Sequence, residues 1–265
     1  MRRLVLAIGL LLAATPAFAK MQAKSVEWSV GQERFSGYVV YDDAAKAKRP
    51  GLVMVPNWMG VTDDAVARAK AIAGDDYVVL VADVWGKGRQ PKDSAEAGKF
   101  AGALRGEDRG PLRARIEAAL ATLKAQAGKA PLDASKIGAF GFCFGGSTVL
   151  ELARSGADVA GVVSLHGGLA PGAKSQTAAS IKAPVLVLNG ADDKATPDAD
   201  ILAFEKEMDA ARADWQFVDF SGAVHCFAEP SAGNDPASNC RYDARAAKRA
   251  YRMMDDFFRE RFAAK

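Results

Sequence analysis

The chain has 265 residues, a formal net charge of +3 and an apolar fraction of 49%. Basic and acidic side chains balance each other along its whole length, which does not favour nucleic acid or an anionic membrane surface as a partner. The length and the ordinary composition indicate a globular, enzyme-sized protein.

The first nineteen residues have the pattern of a secretory signal peptide. Arg2 and Arg3 make a basic start, residues 4–14 are apolar, and Ala17-Phe18-Ala19 has the small-x-small pattern of a cleavage site. The apolar run is too short for a comfortable membrane span, although a retained anchor is the alternative. Residues 1–19 are therefore predicted to be cleaved. The leader favours export to a bacterial periplasm, as a soluble protein without a membrane partner.

Short apolar segments alternate with helical segments along the rest of the chain. Segments 25–30 and 33–41 alternate in polarity around Gly31-Gln32, which predicts an opening β-hairpin. Further strands are predicted at 51–56, 77–82, 137–141, 159–165, 185–189 and 215–220, and helices at 62–73, 94–104, 112–127, 145–153, 198–211 and 241–262. This alternation indicates an α/β protein with a mostly parallel central sheet, an antiparallel N-terminal hairpin and helices on both faces. Residues 20–265 contain no clear linker and are predicted to form a single domain.

The strongest motif is Gly141-Phe142-Cys143-Phe144-Gly145-Gly146, where a buried strand meets a helix. A glycine two residues on either side of a nucleophile allows the tight turn called a nucleophile elbow, which exposes the side chain. The N-terminus of the following helix favours a thiolate over a thiol. Cys143 is therefore the predicted nucleophile. The alternative is a buried cysteine that packs as a small apolar side chain.

A thiol nucleophile needs a base, and the chain has two histidines, His166 and His225. In the arrangement that a nucleophile elbow implies, the chain order is nucleophile, acid, base, and the base follows the last strand. His225 satisfies this order and His166 does not. His225 is the predicted base, and His166 is expected to be structural or to lie at the edge of the pocket.

The acid is expected on the loop between the nucleophile and the base, after the penultimate strand. Asp192 and Asp193 both lie there, and spacing does not choose between them. A carboxylate at this position would orient the imidazole of His225 and stabilise its charged form. The other aspartate is expected to be solvated or to cap a helix.

An oxyanion hole requires backbone N–H groups close to the nucleophile. One is expected from Phe144, and the other from the loop after the strand ending at Pro56, which contains Asn57 and Trp58. Trp85 and Phe227 are predicted to line an apolar pocket beside it.

The three cysteines are Cys143, Cys226 and Cys240. An odd number in an oxidising compartment leaves at least one thiol without an intramolecular partner. Cys226 and Cys240 flank a loop rich in Pro, Gly, Ser and Asn, so they are a candidate disulfide pair. Cys143 would then be free. No cluster of side chains has metal-ligand spacing, and neither a metal nor an organic cofactor is expected.

These motifs together resemble the dienelactone hydrolase family of carboxymethylenebutenolidase-like enzymes, in the α/β-hydrolase superfamily. The resemblance spans nearly all of the mature chain, from Asp83-Val84-Trp85 through the elbow to His225-Cys226-Phe227. The acid of that family stands four residues before a proline, which favours Asp193, four residues before Pro197. The resemblance implies a triad of Cys143, Asp193 and His225, with an oxyanion hole from the N–H groups of Trp58 and Phe144.

Three positions depart from the members that cleave dienelactones. Asn57 replaces a glutamate that is thought to assist the thiol, and Asn cannot accept that proton. Lys87 and Glu229 stand at the positions of two arginines that hold the substrate carboxylate. An ammonium group therefore replaces one planar guanidinium, and a carboxylate of opposite charge replaces the other. The resemblance thus adds Asn57 and Lys87 to the predicted substrate pocket, and it supports the family more strongly than its name-giving substrate.

The resulting expectation is a cysteine-dependent hydrolase of small esters or lactones that works through a thioacyl intermediate. Two alternatives stay open. The same triad could act on thioesters or amides, or the protein could be a degenerate hydrolase that binds without turnover.

Overall fold

The computed structural model describes residues 21–44, 47–173 and 181–264. The predicted signal peptide lies outside the described residues. An eight-stranded sheet runs in the order β1-β2-β4-β3-β5-β6-β7-β8. Its strands are β1 (Met21–Val30), β2 (Glu33–Asp42), β3 (Arg49–Val55), β4 (Val78–Val81), β5 (Leu132–Phe142), β6 (Val162–Leu165), β7 (Val185–Gly190) and β8 (Trp215–Phe220).

The predicted hairpin and parallel sheet are confirmed. β1 pairs with β2 antiparallel, and β2 pairs with β4 antiparallel, whereas every pairing from β4 to β8 is parallel. Gly31 closes the hairpin with a φ of +57°, in the left-handed region that glycine adopts without steric cost.

The helices cover both faces of the sheet, as expected. They are α1 (Asp63–Ala73), α2 (Ser94–Leu104), α3 (Gly110–Lys124), α4 (Phe144–Arg154), α5 (Asp198–Ala210) and α6 (Ala244–Ala263). One apolar cluster joins α3, α4 and α5 to side chains such as Val53 and Val55 of β3. A second cluster joins α1 and α6 to Leu52 and Met54 of the same strand. The alternation along β3 thus assigns successive side chains to opposite faces.

The last helix begins later than predicted, because a side chain caps its start and a preceding backbone group bonds to a loop instead. The last helix begins at Ala244, because Asp243 caps it by accepting a hydrogen bond from the N–H of Ala246. Arg241 instead donates its N–H to the carbonyl of His225 in the preceding loop. Within the described ranges, no helix is long and apolar enough to cross a membrane.

The predicted functional residues follow strands that end at one edge of the sheet. Asn57 follows β3, Cys143 follows β5, Asp193 follows β7 and His225 follows β8. The carboxyl ends of parallel strands lie at the same edge, where open α/β sheets bind their ligands. The topology therefore brings these loops together.

Candidate active site

Cys143 occupies a strained turn between β5 and α4. Its φ is +53° and its ψ is −114°, a conformation that costs a non-glycine residue about 1–3 kcal/mol. A Cβ at Gly141 would lie 2.2 Å from the carbonyl oxygen of Gly145, and a Cβ at Gly145 would lie 2.0 Å from that of Val55. Both glycines are therefore required for the close approach of backbone that forms this turn.

The Cys143 side chain is a free thiol and is 8% exposed. It lines a cavity of about 630 Å³, called the Cys143 cavity below. The imidazole of His225 and the guanidinium of Arg105 line the same cavity, and both interact electrostatically with this side chain. Other residues that line the cavity include Asn57, Trp58, Met59, Glu229, Cys226, Asn239 and Cys240.

Asp193 holds the other side of the His225 ring. Its Oδ2 lies 2.7 Å from His225 Nδ1, and its Oδ1 accepts hydrogen bonds from the N–H of Ala195 (2.8 Å) and from Nδ2 of Asn239 (3.1 Å). Asp192 is exposed and its side chain makes none of these contacts. The geometry thus separates two aspartates that spacing leaves equal.

These contacts set the charge of the Asp193–His225 pair. Burial disfavours the imidazolium, but the hydrogen bonds to Asp193 and Cys143 outweigh it and raise the pKa of His225 to about 10. Burial also disfavours the carboxylate, yet the hydrogen bonds from His225, Ala195 and Asn239 lower the pKa of Asp193 below its ordinary value of 3.8. At neutral pH the pair is imidazolium and carboxylate.

His166 lies beside the same elbow in a different state. Its side chain is fully buried, and Nδ1 accepts a hydrogen bond from the backbone N–H of Cys143 (3.1 Å). Its Nε2 lies 3.8 Å from Oε1 of Glu229, too far for a hydrogen bond. Burial lowers the pKa of His166 well below 6.5, and the charges of His225 and Arg68 lower it further. His166 is therefore neutral and supports the elbow through its Nδ1.

Asn57 and Glu229, at two of the positions that depart from the dienelactone-cleaving members, contact each other. Nδ2 of Asn57 donates to Oε2 of Glu229 at 2.6 Å, and Oδ1 of Asn57 accepts from the N–H of Met59 at 2.9 Å. Arg68, on α1, forms an ion pair with the same Glu229 oxygen at 2.5 Å. The carboxylate is therefore neutralised within the protein, and the Asn57 amide holds the loop that follows β3.

The two predicted oxyanion donors lie at the ends of elements that meet at Cys143. Phe144 is the first residue of α4, where backbone N–H groups have no partner within the helix. In the loop after β3, the N–H of Met59 donates to the Asn57 side chain and that of Gly60 to the Asn57 carbonyl. The N–H of Trp58, the residue before Met59, makes no such bond among the described residues.

The predicted pocket residues do not all line the Cys143 cavity. Asn57 does, but Trp85, Lys87 and Phe227 are not among its lining residues. The Trp85 ring packs on Phe144 with centroids 4.5 Å apart, and the Phe227 ring lies 5.3 Å from that of His166. Lys87 forms a 2.5 Å ion pair with Glu27 of β1. The structure thus places Trp85 and Phe227 beneath the site and Lys87 at the hairpin.

Cys226 and Cys240 form a disulfide in the wall of the cavity. The bond closes the loop that follows His225. The neighbouring Asn239 donates to Asp193, and its own Oδ1 accepts the N–H of Lys194. The disulfide therefore fastens a loop that contacts Asp193 directly.

Sequence reasoning missed three polar contributors: Arg68, Arg105 and Asn239. None belongs to a motif, and an arginine on or just after an amphipathic helix is ordinarily a solvated surface residue. Only the packing of distant elements brings these side chains to the site. Among the described residues, no group of three or more His, Cys, Asp or Glu side chains is arranged to hold a metal ion.

The sheet order, the elbow after β5 and the loops at the carboxyl ends of β7 and β8 define an α/β-hydrolase. The model of the dienelactone hydrolase family matches residues 35–262, and the chain belongs to this family. The resemblance noted from the motifs is confirmed, and with it a hydrolase that acts on ester or lactone bonds.

Several proteins are similar to this chain. An uncharacterised Caenorhabditis elegans protein, K02A2.1, is 36% identical over 58% of this chain and 96% of its own length. The human carboxymethylenebutenolidase homolog is 29% identical over 60% of this chain and 62% of its own length. A solved structure named m3DLH is 36% identical, covers 91% of this chain and 99% of its own, and has a TM-score of 0.84. A dienelactone hydrolase-like promiscuous phosphotriesterase from metagenomic libraries is also 36% identical, with the same coverage and a TM-score of 0.83.

Proposed function

We propose that the protein hydrolyses small esters or lactones with Cys143 as nucleophile, His225 as proton carrier and Asp193 as the acid that orients it. One observation carries the proposal. A free thiol at a strained elbow shares a cavity with His225, whose Nδ1 lies 2.7 Å from a buried carboxylate. This is the relation of nucleophile, base and orienting group that covalent catalysis requires.

In acylation His225 takes the thiol proton of Cys143 and becomes an imidazolium. Its raised pKa of about 10 favours this charged form at neutral pH. The sulfur attacks the carbonyl carbon, a C–S bond forms, and the carbonyl electron pair moves to oxygen, which the N–H groups of Trp58 and Phe144 stabilise. The C–O bond then breaks, and the leaving alkoxide takes the proton from His225.

Deacylation needs His225 as a base, and formation of the acyl-enzyme lowers the pKa of His225 so that it can accept a proton. Two of the contributions that raise the pKa of His225 come from Cys143, and a thioester sulfur carries no negative charge. The pKa of His225 therefore falls in the acyl-enzyme. His225 accepts a proton as water attacks the thioester carbonyl, the C–S bond breaks, and the thiolate–imidazolium pair is restored with release of the acid.

The charges around the cavity favour a neutral substrate over a dienelactone carboxylate. Glu229 stands where a cation would hold that carboxylate, and its own charge is neutralised by Arg68. Lys87 is paired with Glu27 instead of lining the cavity. Esters with short acyl chains and uncharged lactones fit a cavity of about 630 Å³.

The test compares wild type with Cys143→Ala on p-nitrophenyl acetate and butyrate, neutral lactones, acyl thioesters and anilides. Wild type is expected to turn over the esters, and the variant to lose turnover while keeping its circular dichroism spectrum and Tm. A mass increase of one acyl group on wild type, absent in the variant, identifies the thioacyl intermediate. Equal turnover by both proteins contradicts the mechanism. A wild type that binds but never turns over is the degenerate binding protein.

Neutral phosphotriesters are a second candidate substrate class. The support is the structure of a promiscuous phosphotriesterase that is 36% identical over 91% of this chain. Paraoxon should be included in the same panel, because dependence of its hydrolysis on Cys143 would assign both activities to one nucleophile.

We also propose that the protein is exported before it folds. The support is the leader at residues 1–19 and the disulfide Cys226–Cys240, since disulfides persist in oxidising compartments. Mass spectrometry of the unreduced protein from a periplasmic extract should give a chain that starts at Lys20. A mature chain that retains residues 1–19 would contradict this.

A further inference from the structure

Arg105 places a second cation beside Cys143. It directly follows α2, lines the Cys143 cavity together with Cys143 and His225, and interacts electrostatically with the Cys143 side chain. No motif of the sequence assigns Arg105 a role. A thiolate at Cys143 would therefore have two positively charged neighbours in the cavity, Arg105 and the imidazolium of His225, from different parts of the chain.

The guanidinium is held in place by the elbow helix itself. It lies over the ring of Phe144, 5.1 Å from the centroid, and Nη2 donates to Oγ of Ser147 at 3.3 Å. Phe144 and Ser147 both belong to the first turns of α4, directly after Cys143. The position of the cation relative to Cys143 is therefore set by two residues, Phe144 and Ser147, of the segment that directly follows Cys143.

The two cations differ in what they can do. A guanidinium stays protonated throughout the cycle, so Arg105 can neither take nor give the proton that His225 carries. What Arg105 supplies is a constant positive charge, which persists when His225 becomes neutral during deacylation. The amide of Asn57 cannot substitute for it, because an amide carries no net charge.

We propose that Arg105 is a catalytic residue that stabilises the thiolate of Cys143 before attack and again when the sulfur leaves the acyl carbon. In both steps the electron pair stays on or returns to sulfur, the proton moves only through His225, and Arg105 keeps all of its protons. The inference rests on the proposed function, in which Cys143 is the nucleophile. Arg105 is exposed, so solvent screens its charge and a moderate effect is expected.

The experiment compares Arg105→Gln with Arg89→Gln in the full oxidised protein. Arg89 is a matched control, because it also lies over an aromatic ring, Phe100 at 5.5 Å, but does not line the Cys143 cavity. The readout is the rate at which iodoacetamide alkylates Cys143 near neutral pH, followed by mass spectrometry. The rate is expected to fall roughly five- to tenfold in Arg105→Gln and to stay unchanged in Arg89→Gln. Arg105→Lys, which keeps the charge without the planar fork, should restore part of it.

Salt provides a readout that a purely structural role would not change. Iodoacetamide is uncharged, so salt does not alter its encounter with the protein. Raising NaCl from about 0.01 M to about 1 M should lower the alkylation rate of wild type towards that of Arg105→Gln. The rate in Arg105→Gln should be nearly independent of salt.

Ester turnover separates this inference from the proposed function. A parallel fall of kcat and of the alkylation rate in Arg105→Gln supports the inference. A rise in KM alone, with unchanged alkylation, makes Arg105 a substrate-binding residue and overturns it. Wild type that hydrolyses no ester, while its alkylation still depends on Arg105, overturns the proposed function and leaves the thiolate contact standing.

Discussion

His225 and His166 lie next to one another with ring centroids 5.3 Å apart. The protein favours the charged form of His225 and the neutral form of His166. His225 is partly exposed and lies 2.7 Å from a carboxylate, and its pKa is raised to about 10. His166 is fully buried, its nearest carboxylate oxygen is 3.8 Å from Nε2, and its pKa is lowered. The nearest carboxylate is about one ångström closer to His225 than to His166, and His166 is more deeply buried. These two differences distinguish the proposed proton carrier from the structural acceptor.

The same substitution at both histidines tests this difference most strongly. An Asn side chain can reproduce the Nδ1 position of His but has no counterpart of Nε2. His225→Asn keeps a donor to Asp193 but loses Nε2, the ring nitrogen that Asp193 does not occupy. The value of kcat/KM for p-nitrophenyl acetate should therefore fall about 10³-fold. His166→Asn keeps the acceptor for the Cys143 N–H, so kcat/KM should fall no more than about tenfold.

Stability should respond in the opposite order. His166→Asn leaves space among Phe142 and Phe227, which pack on the imidazole, and should lower the free energy of unfolding by roughly 1–3 kcal/mol. Urea denaturation measures this. Equal kinetic losses in the two variants would remove the assigned difference in role.

The two adjacent aspartates provide the next comparison. Asp193→Asn removes the charge that orients and stabilises the imidazolium of His225, and kcat should fall about 10²-fold. Asp192→Asn changes an exposed carboxylate without these contacts and serves as the matched control with unchanged kinetics. Greater loss in Asp192→Asn would reassign the acid.

Loss of the disulfide should affect His225 more than His166. In the double variant Cys226→Ser/Cys240→Ser the loop after His225 is no longer fastened, so Asn239 should hold Asp193 less firmly. Removing a bond that closes a loop of this length should lower the free energy of unfolding by roughly 3 kcal/mol, and kcat should fall about tenfold at temperatures where the variant is folded.

The single variant Asn239→Ala isolates the hydrogen bond within that effect. It should retain the disulfide and the Tm, and lose only a few-fold in kcat. Full activity in the folded double variant would show that the loop does not position the Asp193–His225 pair.

The dependence of stability on pH tests the charge states of His225 and Asp193 directly. The raised pKa of His225 gives a stabilising contribution that is complete below its ordinary value of 6.5 and is lost as the pH rises to about 10. The lowered pKa of Asp193 gives one that is complete above 3.8 and is lost on acidification. The free energy of unfolding of wild type should therefore decline relative to His225→Asn between about pH 6.5 and 10.

Urea titrations across that range measure the decline, and the same series in Cys143→Ala separates the contribution of the sulfur from that of Asp193. A difference between wild type and His225→Asn that stays constant with pH would contradict a raised pKa of His225.

Most of the fold could be predicted from the sequence, because strand and helix periodicity is local. The parallel sheet, the hairpin and the helices on both faces follow from apolar patterning that neighbouring residues encode. The ends of the helices and strands were harder to predict from the sequence. The start of α6 depends on Asp243 as a cap and on Arg241 bonding to the His225 loop, and the second of these is a contact between distant segments.

The sequence by itself determined the elbow at Cys143 and the order of nucleophile, acid and base, since these need only glycine spacing and chain order. The tertiary structure decided that Asp193, which the family resemblance but not spacing favoured, contacts His225, that Lys87 pairs with Glu27, and that Arg68 neutralises Glu229. It also brought Arg105 into the cavity beside Cys143. These contacts join elements far apart in the chain, and the orientation of a charged side chain depends on packing that no local pattern records.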